Sequence, residues 1–114
     1  STAPPTPKPD PVSDAAYPSI TATGGLDRLL TRGKPVVERS NAGAMTVTAP
    51  VRIVRDKEVP VEYRFTFLDD RGRPVGPEPA WQYKVLPART QQFLVGTALD
   101  ADAADWRLEV RPAR

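Results

Sequence analysis

Two stretches decide how this chain folds: Met45-Thr46-Val47-Thr48-Ala49-Pro50-Val51-Arg52-Ile53 and Val59-Pro60-Val61-Glu62-Tyr63-Arg64-Phe65-Thr66-Phe67. In the first, Met45, Val47, Ala49, Val51 and Ile53 alternate with Thr46, Thr48, Pro50 and Arg52. In the second, Val59, Val61, Tyr63, Phe65 and Phe67 alternate with Pro60, Glu62, Arg64 and Thr66. Successive side chains of a strand point to opposite faces, so alternation over this length means a strand with one face buried. Pro50 has no N–H to give to a ladder, which predicts an edge position or a bulge there. The connection Arg55-Asp56-Lys57-Glu58 is short and charged, and predicts that the two strands pair as a hairpin.

The same period runs outward on both sides. Ser19-Ile20-Thr21-Ala22-Thr23 is β-prone and ends at Gly24-Gly25. The spacing of Leu26-Asp27-Arg28-Leu29-Leu30 suits either one helical turn or a twisted strand. Lys34-Pro35-Val36-Val37-Glu38-Arg39 follows, then a turn at Asn41-Ala42-Gly43. Downstream, Asp69 to Pro74 is a turn by composition. Trp81, Tyr83 and Val85 alternate with Gln82 and Lys84. Gln91 to Thr97 reads as a strand with Phe93 and Val95 on one side. Trp106, Leu108 and Val110 alternate with Arg107, Glu109 and Arg111 in a last strand. About seven short strands in one chain of 114 residues predict an all-β protein, an antiparallel immunoglobulin-like β-sandwich. Its expected core holds Val47, Val51, Val61, Tyr63, Phe65, Phe67, Trp106 and Leu108.

The first sixteen residues are different. Pro4, Pro5, Pro7, Pro9 and Pro11 alternate with small and charged residues, and nothing there can bury a core. Residues 1–16 are expected to be a proline-rich extended linker in polyproline II conformation, and residues 17–114 the sandwich domain. A segment already restricted by proline loses less entropy when a partner straightens it. Those five prolines are therefore candidates for contact with another protein. The opening Ser1-Thr2-Ala3 lacks an initiator Met and reads as an end left by processing or a boundary of the chain. No apolar run approaches the ~20 residues that span a bilayer.

Composition narrows the chemistry. The chain has no Cys and no His, so neither a disulfide nor a Cys or His metal site is available. The commonest general base and the most nucleophilic thiol are missing too, which argues against an enzyme. The 16 basic and 14 acidic residues are interleaved and give a net charge of +2, with no run basic enough to follow a nucleic-acid backbone. Adjacent Asp69 and Asp70 beside Gly72 and Pro74 look like turn formers rather than an acid–base pair. Asp100, Asp102 and Asp105 lack the Gly and Glu of a calcium loop, and Asp105 fits a cap ahead of Trp106. Trp81 and Tyr83 are candidates for a glycan- or peptide-binding platform. Their alternation with Gln82 and Lys84 favours packing in the core, and Trp106 is read the same way. Arg52, Arg64 and Arg107 fall at outward positions and are candidates for a binding stripe, but Glu62 and Glu109 share those positions, which predicts cross-strand ion pairs on a wet face instead.

Asn41-Ala42-Gly43-Ala44-Met45, Val47-Thr48-Ala49-Pro50-Val51-Arg52, Val61-Glu62-Tyr63-Arg64-Phe65-Thr66-Phe67, the Asp69–Gly72 turn, Trp81 and Asp105-Trp106-Arg107-Leu108 together resemble the YcfL-like family of predicted periplasmic lipoproteins. The likeness covers most of Ile20 to Val110; where the family is expected to have an Asn after the Val-Arg pair, this chain has Val54-Arg55. The resemblance implies a lipid-anchored periplasmic protein whose lipidated Cys would stand just before Ser1, with Ser1 favouring the outer membrane. The proline tether would then hold the domain up to ~50 Å off the bilayer. The expectation is a structural or interaction module that docks on a larger envelope assembly, of the secretion, flagellar or cell-wall kind. The alternative is a glycan- or peptidoglycan-binding module that uses Trp81 and Tyr83.

Overall fold

The strands with the strongest alternation are also the central strands of the two sheets. The computed structural model describes residues 19–114. Its strands are β1 (Ile20–Ala22), β2 (Leu30–Arg32), β3 (Val36–Arg39), β4 (Met45–Ile53), β5 (Val59–Leu68), β6 (Gln82–Leu86), β7 (Gln91–Ala98) and β8 (Asp105–Pro112). One sheet has the order β1-β8-β5-β6. In the other, β4 pairs with β7 on one side, and β2 and β3 share its other side end to end. All pairings are antiparallel except β1 with β8. The result is an open, all-β sandwich, with no α-helix among the described residues.

The core lies where the apolar faces of β4 and β5 cover each other. Met45, Val47, Ala49, Val51 and Ile53 are at most 4% exposed, and Val61, Leu94, Leu108 and Val110 are wholly buried. Phe65 stands at the aromatic centre. It lies edge-on to Tyr63 at 6.4 Å, stacked on Phe67 at 6.1 Å and tilted against Trp106 at 6.1 Å. Every residue of the expected core is buried.

Two expectations fail, each for a physical reason. β4 and β5 do not form a hairpin: β4 pairs with β2, β3 and β7, and β5 with β6 and β8. A hairpin would put both apolar faces on the same side of one sheet. The connection 54–58 instead crosses the ~10 Å between sheets, and the two faces bury each other. Pro50 is likewise neither at an edge nor in a bulge, but in the central strand of its sheet. Its carbonyl accepts from the Gly33 N–H at 2.8 Å, so the backbone of Pro50 faces the β2–β3 side. There the chain leaves the ladder between Arg32, opposite Val51, and Val36, opposite Thr48. The missing donor falls where no strand asks for one. Of its two readings, the Leu26–Leu30 segment takes the single helical turn, as 3₁₀ at Leu26–Arg28, and β2 begins only at Leu30.

The turn after β5 is held by Asp69. Its carboxylate accepts from the Arg71 and Arg73 N–H groups at 2.9 and 2.8 Å and from the Arg73 guanidinium at 3.0 Å. Gly72, at φ 78°, takes the left-handed position that closes the turn. The backbone bond from Arg73 leads the causes that hold the Asp69 carboxyl below the usual aspartate range. A depressed folded pKa means that the turn is stabilised above the unfolded value and loses that support as pH falls through the folded one. A carboxyl-detected titration should place the Asp69 midpoint below that of a free aspartate, with the Arg71 and Arg73 amides losing protection over the same interval. A midpoint at or above the free value contradicts this account.

Candidate interaction face

On the outer face of the β1-β8-β5-β6 sheet, the register sets charged residues of opposite sign across from one another. Glu62 lies between Arg111 and Tyr83, and Arg64 lies opposite Glu109. The Arg111 Nε donates to Glu62 Oε1 at 3.0 Å, and the Arg64 Nε to Glu109 Oε1 at 2.9 Å. Partial burial keeps these pairs better ordered than fully exposed ones, although each contributes only about 1 kcal/mol or less.

Trp81, one residue before β6, sits over this face. The guanidinium carbon of Arg111 lies 3.7 Å from its ring centroid, and that of Arg64 lies 4.3 Å away. Each glutamate anchors an arginine, and the arginines hold the indole by cation–π contact, worth about 0.5–2 kcal/mol each. Tyr83 stands beside Glu62 and is 65% exposed. The site is thus a small preorganised patch of two arginines, an indole and a phenol on a rigid sheet. Its charges are matched, so it has little field with which to gather a polyanion. Trp, Tyr and Arg are the residue types that dominate binding energy at protein interfaces.

This corrects the core reading of Trp81 and Tyr83. Tyr63 is inward and pairs with Gln82, so Gln82, Lys84 and Leu86 are on the inner side of β6, and Tyr83 and Val85 on the outer. β6 tolerates polar residues inward because it is the edge strand and its inner side opens on a groove of about 1080 Å³ lined by Phe65, Phe67, Gln82 and Leu99. The Tyr63 hydroxyl donates to Gln82 Oε1 at 3.2 Å. Trp106 does pack in the core, at 8% exposure.

The other sequence candidates separate. Arg64 pairs with Glu109 as expected, whereas Arg107 turns to Asp105 on its own strand at 3.0 Å, and Arg52 lies on the opposite sheet. The three therefore form no common stripe. Asp100 accepts from the Asp102 N–H, and Asp105 from the Trp106 N–H, each at 2.8 Å. No group of three potential metal ligands converges among the described residues. Asp56 pairs with Arg89 at 2.6 Å, and this hydrogen bond and charge hold its carboxyl below the usual range. Pro4, Pro5, Pro7, Pro9 and Pro11 lie outside the described residues. Sequence reading missed Arg111 as part of the site, and the solvent-facing position of Phe93 and Val95, which are 50% and 46% exposed. The one available signal for Arg111 was its outward parity with Arg107 and Glu109.

A family model described as "Protein of unknown function (DUF1425)" matches residues 21–112. The chain belongs to this family. Two solved structures show the same fold. The Campylobacter jejuni protein cj0090 superposes with a TM-score of 0.69 at 21% identity, over 83% of this chain and 98% of that one. A DUF1425 member from Shewanella sp. pv-4 superposes with a TM-score of 0.66 at 22% identity, over 75% and 79%. No curated protein matches. Trp81 and the Arg64 and Arg111 that hold it all lie inside the DUF1425 match.

Proposed function

We propose that this DUF1425 protein is a non-enzymatic interaction module of the cell envelope, a YcfL-like lipoprotein that docks on a larger assembly through the outer face of its β1-β8-β5-β6 sheet. The observation that carries the docking face is Trp81 held by Arg64 and Arg111 beside the exposed Tyr83. Anchors fixed before binding lose little side-chain entropy on association, and entropy loss is a main cost of forming an interface. The periplasmic, outer-membrane setting, and an N-terminal lipid anchor, rest on the YcfL-like resemblance.

Two guanidiniums already lie over the Trp81 ring and take up indole surface on which a sugar would stack.

Docking is tested by the size of the complex that the full-length protein forms in mild detergent extracts of its own cells. The wild type should migrate as a species larger than its own dimer, and the Trp81→Ala/Tyr83→Ala variant no larger than that dimer. Equal migration of the two rejects the face. The glycan alternative is tested by titrating soluble peptidoglycan fragments into a Trp106→Phe variant, whose remaining indole is Trp81. No saturable change in fluorescence is expected, and a saturable one would replace the protein reading with the glycan one.

A further inference from the structure

Among the described residues, the β7 edge has none of the devices that normally protect a free strand. β7 reads Gln91-Gln92-Phe93-Leu94-Val95-Gly96-Thr97-Ala98, eight residues with no charge and no proline. The other edges are blunted: β1 and β2 have three residues each, β3 carries Glu38 and Arg39, and β6 carries Lys84. Long, uncharged edges invite another strand.

The direction of the free groups follows from the ladder. The Arg89 N–H donates to the Ile53 carbonyl at 2.9 Å, so odd residues of β4 face β7. Met45, Val47, Ala49 and Val51 thus exchange bonds with Ala98, Gly96, Leu94 and Gln92. The N–H and C=O groups of Phe93, Val95 and Thr97 point to the open side, where nothing among the described residues takes them up. The side chains of Phe93 and Val95 emerge on the outer face next to Pro50 and Thr48, their partners in β4, with the half-exposed Val36 beyond Thr48.

We infer that β7 pairs antiparallel with β7 of a second copy of this chain, about a two-fold axis at Leu94. That register sets Phe93 opposite the partner's Val95 and Gln91 opposite the partner's Thr97, and brings the outward N–H and C=O groups face to face. Aromatic against β-branched is a favourable cross-strand pair, and it is made twice. Self-pairing demands charge self-complementarity, and a strand without charges meets it in every register. The two β4 sheets then become one continuous sheet, with a single apolar strip across the axis. A contact built on one strand per protomer falls below the ~1,200 Å² of standard interfaces, so the dimer is reversible. The inference is independent of the Trp81 face, which is on the other sheet.

The experiment is sedimentation equilibrium on the full chain, combined with amide exchange at several concentrations. The mass should rise from 12.5 kDa toward twice that value as concentration increases. The Phe93, Val95 and Thr97 amides should slow in step, and the β6-edge amides of Tyr83 and Val85 should not. Val95→Lys should weaken association at least about tenfold with an unchanged fold by circular dichroism, because two lysines enter the apolar strip. Tyr83→Lys should leave it unchanged. A chain that stays at 12.5 kDa up to about 1 mM overturns the proposal. So does a dimer that survives Val95→Lys or leaves the β7 amides unprotected. β7 amides protected only by adding a different protein overturn it in favour of a foreign strand.

Discussion

Phe65→Ala should destabilise the protein by about 3–5 kcal/mol, the range for emptying a buried aromatic site. Phe65 is 6% exposed and touches the other aromatic residues of the core, Tyr63, Phe67 and Trp106. It is fixed in the central strand β5, opposite Leu108, so the backbone cannot close on the void. The loss is a large part of the 5–15 kcal/mol that holds a typical domain together. Equilibrium urea unfolding measures it directly. A midpoint within error of wild type would show that Phe65 is not central to the core.

Gly96 tests the same packing from the opposite sheet. A Cβ at this position would run into the Phe65 ring at Cδ1 and Cγ. The backbone of Gly96 is not left-handed, so the glycine is there for space and not for its conformational range. Gly96→Ala should therefore destabilise by about 1–3 kcal/mol, as overpacking does, and Gly96→Val by more. The cause is specific, and so is its signature. In a Phe65→Ala background the obstructing ring is gone, and Gly96→Ala should cost far less than in the wild type. Sites in direct contact couple by about 0.5–3 kcal/mol, and here the double variant should be more stable than the sum of the singles predicts. Strict additivity would mean that β7 does not press on Phe65.

These predictions concern the part of the fold that the sequence states most clearly. The strands β4, β5 and β8 are legible because their inner positions are apolar without a break, from Met45 to Ile53, from Val59 to Phe67 and from Trp106 to Val110. Which strands pair was not legible. Alternation says that a face is buried, not whether the next strand lies beside it or across from it, and so the β4–β5 crossing was misread as a hairpin. Pro50 was misread for a related reason. Its fit depends on the gap between β2 and β3, a long-range feature with no local signature. The candidate site was half legible. Trp81 and Tyr83 stood out as a platform, but at an edge strand the usual link between apolar and inward fails. Gln82 can face the groove and Tyr83 the solvent, and only the register against Glu62 shows it. The arginines that hold Trp81 come from β5 and β8, distant in sequence and joined by cross-strand pairing alone.

The docking proposed above brings the Trp81–Tyr83 face against another protein of the envelope. The most direct measurement places a photoreactive phenylalanine at Tyr83 of the full-length protein in its own cells, with a second at Val54, in the connection between β4 and β5, as the reference position. Docking through this face should give a discrete adduct heavier than a dimer of the chain from position 83, absent from position 54 and lost when Trp81 and Arg111 are replaced by alanine. A position 83 that yields no adduct beyond that of position 54, or one indifferent to the loss of Trp81 and Arg111, would contradict it.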